Sequence, residues 1–143
     1  MQRTLIVGAL FVTLGVPALG SEQPSGSGSA GASLATVTLK RRVLADGKPL
    51  NPGTYLVRLG QDELMPAAGQ SPGAERVVEF VKGSAVAGRE VATVIQGVDR
   101  ATVLKGKGPG PGASRVDLLK GDDYVRVWIN SGGTHYLINL PTT

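Results

Sequence analysis

The chain has 143 residues, with 15 Lys and Arg against 11 Asp and Glu, a single His and no Cys. The absence of cysteine excludes disulfides, thiolate metal sites and thiol nucleophiles, so a folded domain must be held together by core packing alone. A net charge of +4 is ordinary for a small soluble domain. The cations are scattered apart from Lys40-Arg41-Arg42 and the Lys105/Lys107 pair, which is not the dense basic cluster with interleaved aromatics of a nucleic-acid reader.

The first twenty residues have the three-part order of a secretory signal peptide. Arg3 supplies a short positive start, and Leu5 to Val16 is an uncharged run too short to span a bilayer comfortably. Pro17 interrupts it, and Ala18 and Gly20 put small residues three before and one before a cut at Ser21. No Cys follows the apolar run, so a lipid-anchored form has no thiol to acylate. Residues 21–33 are rich in Gly and Ser and predict a flexible linker. The remaining segment, 34–143, is long enough to bury roughly two-thirds of its unfolded surface. Disulfide-free export favours a bacterial source, with the mature chain in the periplasm or secreted and no transmembrane segment left after cleavage.

From Leu34 onward the hydrophobic period is two, and Gly, Pro, Asn and Asp punctuate it. A first strand is predicted over Ala35–Leu44, where strict alternation would put Arg41 on the apolar side; a bulge or the domain rim is expected there. Asp46-Gly47 and Asn51-Pro52-Gly53 mark turns, and Thr54–Leu59 follows with Tyr55, Val57 and Leu59 on one face. The run Ala45-Asp46-Gly47-Lys48-Pro49-Leu50, then Pro52-Gly53-Thr54-Tyr55-Leu56-Val57, resembles a phrase of extracellular prealbumin-like β-sandwich modules; it is a small part of the chain and assigns no family.

Residues 60–74 read as a polar loop in which Asp62–Met65 has room for one helical turn. Arg76–Lys82 and Ala85–Ile95 are the next strands, the second carrying Gly88 and several alanines, which predicts a bulge or a neighbour crossing closely. After a turn at Gly97-Val98-Asp99, Ala101–Leu104 reads as a short strand. Lys105 to Ser114 reads as a mobile glycine-rich loop, Arg115–Leu119 as a strand, and Asp122–Asn130 with Thr134–Leu140 as a closing hairpin. About eight short strands with almost no helix signal predict an all-β fold, a single antiparallel β-sandwich or small barrel.

Catalytic chemistry finds little support in the sequence. A Ser-His-Asp triad needs a base and a nucleophile elbow; His135 is the single imidazole, and no Gly-x-Ser-x-Gly is present. Zinc would want three or four ligands drawn mainly from His and Cys. Of Glu79, Glu90, Asp117, Asp122 and Asp123, most fall on outward faces or in turns, a poor basis for a glycosidase pair, and Asp122-Asp123 lacks the Asp-x-Asp-x-Asp-Gly pattern of a calcium loop. The Lys105–Gly112 loop contains prolines that remove amide donors and opens no predicted helix, unlike a P-loop. No catalytic residue, metal ligand or cofactor is assigned.

The closing hairpin is where the residues specify most. A two-residue turn at Gly132-Gly133 pairs Asn130 with His135, Ile129 with Tyr136, Val127 with Ile138 and Val125 with Leu140. Val125, Val127, Ile129, Tyr136, Ile138 and Leu140 then share one apolar face, and a one-residue slip would mix the faces. The opposite face carries Tyr124, Arg126, Trp128, Asn130, His135, Leu137 and Asn139. That mixture is typical of interaction surfaces and sugar platforms, and the competing reading places Trp128 beneath the 60–74 loop as satellite core. The expectation is an exported, non-catalytic β-domain acting as a protein-interaction or structural module, with a small-ligand or carbohydrate-binding domain as the alternative. The partner is an unidentified protein or surface glycan rather than nucleic acid. Intact-mass measurement on protein from the native host should give a chain beginning at Ser21; a full-length mass would contradict the cleavage reading.

Overall fold

The computed structural model describes residues 31–97 and 99–143; the expected signal peptide and most of the expected linker lie outside them. Among the described residues nine strands and one short helix follow in chain order: β1 Ser33–Leu39, β2 Val43–Ala45, β3 Lys48–Leu50, β4 Gly53–Leu59, β5 Glu75–Lys82, β6 Ala85–Ile95, α1 Asp99–Leu104, β7 Ser114–Leu118, β8 Tyr124–Ser131 and β9 Thr134–Pro141. Seven of the strands form one antiparallel sheet in the order β1-β4-β5-β6-β9-β8-β7, curled until it is nearly a closed barrel, while β2 and β3 make a separate hairpin. Among the described residues no helix is long and apolar enough to cross a membrane.

The chain leaves β1 where the alternation fails. Val37 and Leu39 face the core, and Lys40, Arg41 and Arg42 sit exposed at the rim before Val43 re-enters it. Continuing the strand would have driven a guanidinium inward, so the chain bends instead and builds the β2–β3 hairpin. Asp46 and Gly47 connect it, both at positive φ, as a two-residue turn requires when its twist must match its strands. Val43, Ala45 and Leu50 project from this hairpin into the end of the barrel and are fully buried.

Gly88 makes the close fit of that cap. A Cβ there would stand 3.0 Å from Ala45 Cβ and 3.1 Å from Leu50 Cδ2, so the hairpin packs directly on the β6 backbone. The β5–β6 register also shifts between Phe80 and Val81, opposite this glycine. Both expectations for Gly88, a bulge and a crossing neighbour, are met at one place.

The barrel interior is filled by alternate residues of every long strand. Tyr55, Val57 and Leu59 come from β4, Val78 and Phe80 from β5, and Val125, Val127 and Ile129 from β8. Tyr55 meets Phe80 edge-to-face with centroids 6.3 Å apart, and its hydroxyl donates to the Asn51 carbonyl at 2.6 Å, which satisfies the polar end of a buried ring.

Two local expectations are corrected. Asp62–Met65 is irregular and not helical, because Met65 precedes Pro66 and the proline ring disfavours the α conformation just before it. Residues 101–104 are part of α1 and not a strand. A strand there would pair most directly with β6, which precedes it in the chain, but β9 takes that edge. Coiling into a helix satisfies the backbone locally and leaves Leu104 as its one buried side chain.

Candidate functional site

The β8–β9 pairing has the register expected from the Gly132-Gly133 turn, with Ser131 opposite Thr134 and Val125 opposite Leu140. Both turn glycines hold positive φ, +62° and +89°. The six residues expected inside are all buried. The seven expected outside do share the outer face, but they do not form one open surface. Tyr124 and Asn139 are exposed and Arg126 and Leu137 half-buried, whereas Trp128, Asn130 and His135 are 7%, 5% and 5% exposed.

The covering element is the glycine-rich loop together with α1, and not the 60–74 loop. Trp128 packs with Ile95, Leu104 and Leu137 in a second, smaller core on the outside of the barrel. Gly108 lies against the indole so closely that a Cβ would meet Cζ2 at 2.5 Å. The guanidinium of Arg115 sits 5.2 Å from the ring centroid, a cation–π distance. A ring covered in this way is not a platform for stacking a sugar.

The 105–114 loop, expected to lack side-chain contacts that would order it, is packed and hydrogen-bonded against the hairpin. Asn130 donates through Nδ2 to the Pro109 carbonyl at 3.0 Å, and its backbone exchanges hydrogen bonds with Gly112 and Ala113. Its Oδ1 meanwhile accepts from the Gly133 amide. One amide side chain therefore ties the loop to the hairpin turn. The ordering cost of the loop, about 1–2 kcal/mol per residue, is offset by burial of Trp128 and by these bonds.

His135 completes the cluster. The indole N–H of Trp128 donates to its Nδ1 at 2.8 Å. An indole nitrogen can only donate, so Nδ1 must be bare and the neutral ring carries its proton on Nε2. Burial lowers the His135 pKa below its ordinary value of 6.5, and the nearby Arg100 guanidinium lowers it further. The imidazole is therefore a neutral structural partner of the indole.

A second feature of the molecule lies at the seam of the barrel. Every neighbouring pair in the seven-stranded sheet is antiparallel, so the two edge strands, β1 and β7, point the same way. Among the described residues no ladder joins them. Between them is a slot of about 160 Å³ walled by Leu39, Val116, Leu118 and Val125, with Lys40 and Arg41 at its rim. Leu118 is 42% exposed, and among the described residues Lys40, Arg41 and Arg42 enter no ion pair. The sequence shows Lys40-Arg41-Arg42 as a run of cations but gives no sign of the seam beside it.

Elsewhere the charges are spent on structure. Glu79, buried on the outer face, is bracketed by Arg58 at 2.7 Å and Arg89 at 3.2 Å. Among the described residues no group of three or more His, Asp or Glu is placed to hold a metal ion.

Fold and surface together define a nearly closed antiparallel β-barrel with an apolar end cap, one open seam and one loop-covered aromatic cluster. In comparisons with known proteins the chain matches no family model, no curated protein and no solved structure.

Two outcomes follow from the Trp128–His135 pair. Trp128→Ala should cost about 3–5 kcal/mol in urea unfolding, because it removes the centre of the outer core; a loss under about 1 kcal/mol would mean that the indole does not hold the loop. For His135, the unfolded chain takes up a proton near pH 6.5 that the folded state resists. Stability is thus full above that value and is lost as pH falls through the depressed folded-state pKa. The fall in midpoint on acidification from about pH 7 to pH 5 should be smaller in His135→Gln, whose amide oxygen still accepts from the indole; equal falls would contradict it.

Proposed function

We propose that the chain is an exported, non-catalytic β-barrel domain of the bacterial cell envelope or secreted space, acting by binding another protein. The observation that supports this reading is the seam. Among the described residues two unpaired strand edges flank an apolar slot, and unpaired edges are the usual template for recruiting an extended segment of another chain. The unpaired cations at the rim set the chemistry of that segment: apolar side chains alternate into the slot while acidic ones meet Lys40 and Arg41. Charge complementarity of this kind mainly speeds and selects encounter, and the apolar anchors supply the affinity.

A photo-crosslinking residue in place of Leu118, introduced in the native host, should capture a discrete envelope or secreted protein. The same residue in place of Val103, exposed on α1, should not capture it. Adding Lys40→Glu and Arg41→Glu should abolish the adduct at 118. Retention of the chain in the cytoplasm, identical adducts at both positions, or an adduct indifferent to the charge reversal would each overturn the reading.

A further inference from the structure

We propose that the cleft between α1, the glycine-rich loop and the β8–β9 turn binds a phosphate group, free or carried on a small molecule. This site is separate from the seam and does not depend on the reading of the seam as a docking surface.

The cleft measures about 410 Å³ and is lined by Arg100, Leu104, Lys107, Pro109, Asn130 and His135, together with the loop glycines and Gly133. Its ionisable lining is of one kind. Arg100 and Lys107 bring positive charge, His135 is neutral, and no carboxylate is among the lining residues. A concave site lined by one sign of charge raises the local concentration of its counter-ion. Among the described residues neither Arg100 nor Lys107 enters an ion pair, so their charge is available to a ligand.

Two of the side-chain donors, Arg100 and His135, are held in place before any ligand arrives. Arg100 is anchored through Nη1 to the Gly133 carbonyl at 3.1 Å, and among the described residues the remaining donors of its guanidinium make no other hydrogen bond or ion pair. His135 gives Nδ1 to the Trp128 indole, so the only hydrogen bond left to its neutral ring is donation from Nε2. Asn130, which also lines the cleft, is committed to the loop and the turn. The amides of Gly106 and Gly110 donate to no backbone carbonyl among the described residues, on a loop held by Gly108 against Trp128 and by Asn130.

Charged donors, a neutral N–H and unpaired glycine amides around one hollow are the complement of a phosphate, which has three terminal oxygens and accepts from several directions. A carboxylate, with two oxygens in one plane, would leave donors unused. Leu104, Pro109 and Pro111 add an apolar wall against which the body of a phosphate ester can lie. The glycine-rich run is thus put to anion recognition without being a P-loop: the phosphate is met by side chains of a helix and a hairpin as well as by the loop.

The test is an amide NMR titration of the full chain with sodium phosphate, against sodium chloride and sodium acetate at the same ionic strength. Phosphate should produce saturable shifts at Gly106, Lys107 and Gly110. Lys107→Gln, an exposed change with no structural bond to lose, should weaken binding about tenfold without lowering the unfolding midpoint. Arg100→Gln should weaken it at least as much. Glycerol phosphate binding more tightly than inorganic phosphate would support an ester whose body uses the apolar wall. Equal affinity would support recognition of the phosphate group alone. Shifts equal to those in chloride or acetate, or unchanged affinity in Lys107→Gln, would overturn the proposal.

Discussion

The side on which Trp128 emerges from β8 governs most of the outer architecture. It is decided by the two-residue Gly132-Gly133 turn, which pins the register of β8 against β9 and leaves each residue one possible face. With Val127 and Ile129 inside, Trp128 and Asn130 must be outside. An indole of that size exposed on a small barrel is costly to hydrate, and its burial draws α1 and the glycine-rich loop onto the outer surface. Asn130, one alternation further on, is then within reach of the loop backbone and fastens it. The small outer core, the fixed loop and the cleft beside it all descend from one strand register.

A second constraint is arithmetic. An antiparallel sheet with an odd number of strands cannot close on itself without one parallel pair, because its two edges run in the same direction. Here the edges, β1 and β7, approach each other without a ladder, and side chains fill part of the gap where hydrogen bonds would otherwise stand. Full closure is the only arrangement that removes edges altogether. The β2–β3 hairpin seals one end of the barrel through Leu50 and Val43, yet it leaves the seam itself open. The rim cations Lys40 and Arg41 lie there because the chain turned away from the core to avoid burying them.

The distribution of charge divides the surface into regions with different work. Around Glu79 opposite charges are matched and locked between Arg58 and Arg89, which stabilises the sheet and leaves nothing to recruit a ligand. Near the seam and in the α1 cleft the cations enter no ion pair among the described residues. Unmatched charge beside an apolar wall is where selective attraction of an anionic partner costs least, since no internal pair must first be broken. His135 adds polarity without charge, because its acceptor nitrogen is held by an indole that can only donate.

The sequence by itself determined the all-β class, the alternating core residues of β4, β8 and β9, the two tight turns and an irregularity at Arg41, although it predicted one strand over Ala35–Leu44 where the structure has β1 and β2. These are local: period-two patterning and turn chemistry act between neighbours, and a charged residue at an apolar position forces a bend wherever it occurs. Tertiary structure alone decided what covers the outer face of the hairpin. Trp128 and the 105–114 loop look independent along the chain, and Gly108 reads as flexibility until an indole is found 2.5 Å from where its Cβ would be. The same holds for 101–104, whose alternation suits a strand, but which coils where β9 already holds the edge of the preceding strand, β6. The seam, too, is invisible in the sequence, since strand number and order depend on which long-range pairs form and no single segment encodes their parity.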